Sequence, residues 1–463
     1  MANELKIEFT AKKAAFVERG GVSLGGLRSA LSGAKKSASV DRDGEQFEAL
    51  IRLQAAADGA HVRMPLSLVV VIDRSGSMSH GRLDAAKRCT IDLVKQLQAG
   101  DEVGVVIYDT QIDTLLPLTP AMSAQALIEP LMDSFDTDGG TDLHGGWLAG
   151  AALLAPRTGA NRVCRVMLLS DGHANHGLCN VAEITGQVEK LAQAGVTTTT
   201  VGIGLGFNEE LMSEMATAGR GSALFGERPE DLVEPFEVEL GLLTNLVVRD
   251  VTMYITSNVH GTAWRVHNAY PRDAKNGWRL PSVAVGSEAW AAVSMPMEKL
   301  AQARRSNAEI ALRIEYTFTD SDGESRQRTA AWDLSAMPLL NDAAYDALPA
   351  EELVVRRFSE LQVADILQQA RAAVIERDWK TVEALLAEVR KQSQSNAWLE
   401  AVVTQLEKML KERDGARMAK EMHFGAARMH NRLAFSRELD DIDLAKAPLH
   451  LRRRDLQGRR DEK

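Results

Sequence analysis

The chain has 463 residues, 45% hydrophobic and 25% charged, the make-up of a globular protein of two or three domains. Its 54 basic residues face 64 acidic ones, and the net charge of −10 speaks against a general nucleic-acid binder. Cys89, Cys164 and Cys179 make no disulfide framework. No stretch is apolar and long enough to span a bilayer, and the opening residues lack the apolar centre of a secretion signal, so the expected location is the cytoplasm.

Residues 5–10 alternate apolar and polar side chains with period two and read as a strand. Residues 20–44 are rich in Gly, Ser, Ala and Lys and read as a mobile loop. A second strand is expected at 47–53. Two strands alone are marginal and need partners elsewhere in the chain. From Pro65 the pattern changes. The run Leu68-Val-Val-Val-Ile-Asp73 suits a strand buried on both faces, as in a parallel sheet. Helices are expected at 81–98, 122–134, 142–155, 180–194, 208–218 and 229–240. Strands are expected at 103–108, at 163–169 and at 196–203, the last parallel strand, with an edge strand at 110–118. Strands alternating with helices imply a parallel sheet covered on both faces.

Beyond Leu243 the periodicity is that of strands, at 246–255, 278–280, 289–295, 310–319 and 328–334, with a hairpin-type turn at 320–323. We read these, with the two N-terminal strands, as a discontinuous β-sandwich into which the α/β domain is inserted. From Tyr345 onward three apolar stripes at helical spacing predict a helical region. Met418, Met422, Met429 and Leu433 also share helical spacing. Packing on the protein's own sandwich is the preferred reading, with a docking helix for a partner as the alternative. Residues 451–460 read as a solvated end. The expected divisions are 1–64 for the N-terminal sandwich strands, 65–241 for the α/β domain, 242–338 for the rest of the sandwich and 339–463 for the helices.

Chemistry concentrates at strand ends. Asp73, Ser75 and Ser77 follow the first α/β strand at i, i+2 and i+4, with Gly76 allowing a tight turn. One carboxylate and two hydroxyls are hard oxygen donors, suited to Mg²⁺, Mn²⁺ or Ca²⁺. Three oxygens do not fill an octahedron. Thr141, in Gly139-Gly-Thr-Asp-Leu143, and Asp171, closing the strand Val166-Met-Leu-Leu-Ser-Asp, are the candidates for the rest.

With these residues in place, 66–235 resemble a von Willebrand factor type A domain. Asp73, Ser75, Ser77, Thr141 and Asp171 are similar, position by position, to its metal-ion-dependent adhesion site. Ser-Asp-Gly at 170–172 and Val-Gly-Ile-Gly at 201–204 resemble the bacterial, cytosolic members. The resemblance implies a Rossmann-like, doubly wound, mainly parallel sheet and a bound Mg²⁺. It also implies a protein partner that presents Asp or Glu to the metal, and a terminal helix, here near 229–240, that shifts when the site changes state. Such bacterial members often work beside an AAA+ ATPase, a kinase or a phosphatase, as adaptors or assembly factors.

Competing chemistry is weaker. His173, His176 and Cys179 have zinc-type donors at three-residue spacing, but no fourth ligand is near. Lone His80 and His144 read as surface residues rather than bases. A hydrolase would need a base for Ser75 or Ser77, and neither Gly-x-Ser-x-Gly nor a phosphate-cradling Gly-x-x-x-x-Gly-Lys occurs. The expectation is a binding module and not an enzyme. A metal-independent scaffold is the alternative.

Overall fold

The long apolar runs of the middle of the chain form the sheet they predict. In the computed structural model the described residues are 5–17, 45–55, 63–431 and 434–435, less 160–161, 172–173, 205, 227–228, 260–262, 320–323 and 395. The glycine-rich stretch 20–44, the turn at 320–323, Leu433 and the tail 451–460 lie outside them.

In chain order the longer strands are β1 (Leu5–Ala11), β2 (Gln46–Ala55), β3 (Leu66–Asp73), β4 (Glu102–Tyr108), β5 (Ile112–Pro120), β6 (Val163–Ser170), β7 (Val196–Ile203), β8 (Ala223–Gly226), β9 (Leu246–Ser257), β10 (Ser287–Pro296), β11 (Ala311–Thr319) and β12 (Ser325–Asp333). The helices are α1 (Arg82–Gln96), α2 (Ala121–Met132), α3 (Leu143–Leu154), α4 (Val181–Gln193), α5 (Glu209–Ala218), α6 (Pro229–Thr244), α7 (Met297–Arg305), α8 (Asp342–Ala347), α9 (Glu352–Ile375), α10 (Trp379–Gln392), α11 (Ala397–Glu412) and α12 (Gly415–Asn431).

The α/β unit is one six-stranded sheet in the order β5-β4-β3-β6-β7-β8. All its pairings are parallel except β5 on β4. Every residue of β3 and β6 is buried, as expected for central strands with both faces covered. One face packs on α1, α2 and α6 through Leu68, Val70, Ile72, Leu93, Ile128 and Leu240. The other packs on α3, α4 and α5 through Val69, Val71, Trp147, Ile184 and Met215. Helix α3 lies close on the sheet because it carries glycines there: a Cβ on Gly150 would stand 2.4 Å from Val71 Cγ2. The parallel sheet does not end at Ile203. The four-residue β8 adds a further parallel strand beside β7, too short to give a periodic signal.

The N-terminal strands find their partners far along the chain. β1 pairs with β2, and β2 pairs antiparallel with β10 over nine residues, Glu288 opposite Gln54 through Pro296 opposite Gln46. A second sheet is built on β9, β11 and β12. Both sheets contribute to one apolar core that holds Phe47, Ile51, Met253, Val293, Ile314 and Tyr316.

The C-terminal helices form a core of their own. The N-terminal half of α9 places Val354, Phe358 and Leu361 against Leu50 and Trp290 on the outer face of the β1-β2-β10 sheet, and its C-terminal half packs with α10, α11 and α12. The methionine helix corrects the preferred reading. Met418, Met422 and Met429 are buried among Leu367, Val403 and Leu406 of α9 and α11, not on the β-sheets, because the facing helices offer the apolar surface. Its other side grips the α/β unit: Phe424 stacks on Phe225, Lys420 Nζ donates to Phe207 O (3.1 Å) and Glu209 Oε2 (3.0 Å), and Ser213 Oγ bonds His423 Nε2 (2.8 Å). Near its end it also reaches the segment between β9 and β10, where Asn268 Nδ2 donates to His430 O at 3.0 Å. No helix among the described residues is long and apolar enough to cross a membrane.

Candidate metal centre

Three loops at the carboxyl edge of the sheet bring the five expected residues together. β3 ends at Asp73, whose Oδ1 accepts the Ser75 N–H at 2.9 Å and folds the chain back on itself. A single 3-10 turn, Gly76–Met78, then presents Ser77. The Ser75 and Ser77 hydroxyls bond each other at 2.9 Å, and Ser77 Oγ donates to Asp171 Oδ1, also at 2.9 Å. Asp73, Ser75, Ser77 and Asp171 are thus one continuous hydrogen-bonded chain spanning β3 and β6.

Thr141 comes from the third loop. Gly76 N–H donates to Gly139 O (3.2 Å) and Asp138 N–H to Arg74 O (2.8 Å), so the two loops are laced by backbone. Gly139 sits at φ 61°, and a Cβ there would meet the Thr110 and Asp109 side chains at 3.0–3.3 Å. Asn175 Oδ1 accepts the Thr141 N–H at 2.9 Å, while Asn175 and His176 N–H both donate to Thr141 O. Asp142 caps α3 by accepting Gly145 N–H. Thr141, Asp73, Ser75 and Asp171 are each no more than 1% exposed, and Ser77 faces solvent. The cluster therefore opens to the outside on the Ser77 side.

Its electrostatics are under tension. Burial is the main force that pushes the Asp73 carboxyl up to about 6; hydrogen bonds from Ser170 and Ser75 oppose it, and the charge of Asp171 adds to it. The neighbouring Tyr108 hydroxyl is pushed well above its ordinary value, first by burial and then by the charge of Asp73. The cation in contact with the cluster is Arg82, whose Nη1 lies 3.1 Å from Asp171 Oδ2 and donates to Ser77 O at 2.8 Å. Arg74 turns away to Asp109 (2.9 Å) and Asp113 (3.4 Å). Two buried carboxylates and the Ser75 and Ser77 hydroxyls at a solvent opening, with Thr141 on the adjoining loop, fit a hard divalent cation, whose charge would hold Asp73 ionised. Among the described residues no three His, Cys, Asp or Glu side chains gather into a metal-binding group. A site here would depend on hydroxyls.

The competing candidates fare differently. His173 lies outside the described residues, and Cys179 is exposed, its Sγ 3.6 Å from His176 O. His80 Nδ1 bonds Ser79 Oγ (2.8 Å) and His144 Nε2 bonds Gln187 Oε1 (3.0 Å). Neither imidazole serves Ser75 or Ser77, which bond each other and the aspartates. Residues that the sequence reading did not single out also build the site: Ser170, whose hydroxyl donates to Asp73 Oδ2 at 2.6 Å, together with Asp109, Asn175 and Arg82. Asp109 follows β4 as Asp73 closes β3, which is a usable signal. Arg82 and Asn175 carry none.

Comparison with known proteins bears on the fold that carries these residues. Residues 67–235 match the family model of the von Willebrand factor type A domain, and they fold as one. The chain is similar to the uncharacterized protein YfbK of Escherichia coli, 30% identical over 212 residues, which is 44% of this chain and 36% of that protein. It is 25% identical over 201 residues to an uncharacterized protein of Synechocystis, 43% of this chain and 47% of the other. It thus spans less than half the length of these curated relatives. Among solved structures, a von Willebrand factor type A protein from Catenulispora acidiphila covers 92% of this chain and 97% of its own at a TM-score of 0.63. The ArnB paralog VWA2 from Sulfolobus acidocaldarius covers 91% and 99% at 0.55. At 16% and 15% identity both speak for the fold alone. Domains of this type generally mediate protein–protein interactions, often with a metal.

Proposed function

We propose that Asp73, Ser75, Ser77, Thr141 and Asp171 form a metal-ion-dependent adhesion site, and that the protein is an adaptor or assembly factor that captures a partner through it. The observation that carries this reading is the hydrogen-bonded chain from Asp73 to Asp171, buried except at Ser77 and holding an aspartate that burial, chiefly, makes reluctant to ionise. Ser75, Ser77 and Thr141 would ligate Mg²⁺ through their hydroxyls, with Asp73 and Asp171 acting directly or through water; Mn²⁺ and Ca²⁺ suit the same donors. Bound there, the ion would offer a coordination position to a carboxylate. The recognised group is accordingly an Asp or Glu of the partner, drawn from an AAA+ ATPase, kinase or phosphatase system of the cytoplasm. Pull-down with and without EDTA tests this. Capture should be lost with EDTA and with Thr141→Ala while the protein stays folded. Capture that ignores both would favour a metal-independent scaffold.

The same proposal extends to architecture. We divide the chain into a β-sandwich contributed by 1–64 and 242–338, an adhesion domain inserted at 65–241, and a helical region from 339. The pairing of β2 with β10 and the shared core of the two sheets support it. Helix α6 packs on α1, which begins just beyond the site, and runs through Asn245 into β9. Engagement at the metal should therefore be felt along α6, as changed hydrogen exchange over 229–250. Exchange changed only near 73–78, 141 and 171 would instead mark a passive hook.

A further inference from the structure

The opposite edge of the parallel sheet carries a second polar site. At the starts of β6 and β7, roughly 20 Å along the strands from Asp171, a cavity of about 20 Å³ is lined by Arg165, Arg220, Arg249, Asp250, Cys164 and Thr197, among others. It lies where the α/β unit meets β9. That volume suffices for about one water-sized occupant.

The wall is rich in donors and in positive charge. The Nε groups of Arg165, Arg220 and Arg249 are all buried and have no hydrogen-bond partner. Three guanidinium groups face two carboxylates: Asp250, paired with Arg220, and Glu239 of α6, 4.0 Å from Arg165. Arg165 also donates to Thr199 Oγ1 (3.1 Å) and Arg249 to Arg162 O (3.1 Å), neither of which is charged. The nearby Glu102 is engaged by Arg157 (2.8 Å) and Arg162 (3.4 Å). Among the three guanidinium groups and two carboxylates positive charge exceeds negative by one; Arg165 is buried, while Arg220, Arg249 and Asp250 are partly exposed.

The backbone is bent to build this arrangement. Arg220 and Asp250 both adopt left-handed conformations, φ 54° and 56°, and the register of β9 on β11 shifts between Arg249 and Thr252. Left-handed non-glycine residues persist where surrounding contacts over-determine them.

We propose that this cavity binds one monovalent, chloride-sized anion, which ties the α/β sheet to the strand that follows it. Water would accept the Nε–H bonds, but an anion would also balance the excess of positive charge, and the small cavity favours a monoatomic one. The test is a crystal grown in bromide, read by anomalous scattering, with thermal unfolding in EDTA as a companion. An anomalous peak between Arg165, Arg220 and Arg249 is expected. At fixed ionic strength, chloride in place of gluconate should raise Tm saturably by roughly 2 °C, and Arg249→Met should abolish the rise. Should that variant not fold, the bromide crystal of the unaltered protein still decides. A cavity without bromide overturns the proposal, even if Tm responds to chloride, because the ion then acts elsewhere.

Discussion

At the scale of single residues, Asp73 carries the sharpest consequence. Its carboxyl is raised from 3.8 to about 6, chiefly by burial. The folded state therefore holds this proton more tightly than the unfolded chain does. Ionisation of Asp73 burdens the fold above about pH 6, and that burden lifts as pH falls through 6 and is gone below 3.8. The size is about 3 kcal/mol. Carboxylates such as Asp101, held low by hydrogen bonds from Arg63 and the backbone against the upward push of burial, act in the opposite sense, so the prediction is a difference. In EDTA, the stability of the wild type relative to Asp73→Asn should rise by about 2 kcal/mol between pH 7 and pH 4. A difference that does not move with pH in urea titrations would contradict the burial account. Asp73, Ser75 and Ser77 were legible in the sequence because they alternate along one short segment directly after an apolar run. Arg82 and Asn175 were not, because their roles arise only when α1 and the loop after β6 fold back onto the other strand ends.

Among the elements, α3 shows two local effects in competition. Gly150 sits in a helix, where Ala is favoured by about 1 kcal/mol. Yet a Cβ there would fall 2.4 Å from Val71 Cγ2 on a fully buried strand. Overpacking of this kind costs about 1–3 kcal/mol, so the clash should win. Gly150→Ala is expected to destabilise the protein by up to about 2 kcal/mol net, seen as a lower urea midpoint with an unchanged slope. A stabilised variant would mean that α3 has room to lift off the sheet. The strands of the α/β unit were readable because continuous apolar runs of this length suit buried parallel strands. β8 and α7 escaped, the first by its four residues and the second by its charge-rich sequence, Met297-Glu-Lys-Leu-Ala-Gln-Ala-Arg-Arg305. The methionine stripe of α12 gave the correct helix and the wrong partner, since spacing shows which face is apolar but not what covers it.

For the whole molecule, long-range pairing dominates. β2 lies between β1 and β10, and its partner in β10 is more than 230 residues away in sequence. Deleting residues 1–55 would strip β1 and β2 together, baring the edge of β10 and the core residues, such as Val293 and Met253, that Phe47 and Ile51 help to cover. An aggregation-prone product is expected in size-exclusion chromatography; a soluble monomer with an unchanged Tm would count against a sandwich built from both ends of the chain. The two orphan strands hinted at this closure, but nothing local could name β10 as the partner. α12 adds a second long-range tie, joining the helical core to α5 through Lys420 and Glu209 and to Asn268, between β9 and β10, through His430.

The central claim is that five oxygen-bearing side chains at the edge of one sheet hold a divalent cation. Calorimetric titration of Mg²⁺ into the wild type and Asp73→Ala, with folding of both checked by circular dichroism, tests it most directly. The account predicts one site per chain in the wild type and no measurable binding in the folded variant. Equal Mg²⁺ affinity in the two proteins would contradict it.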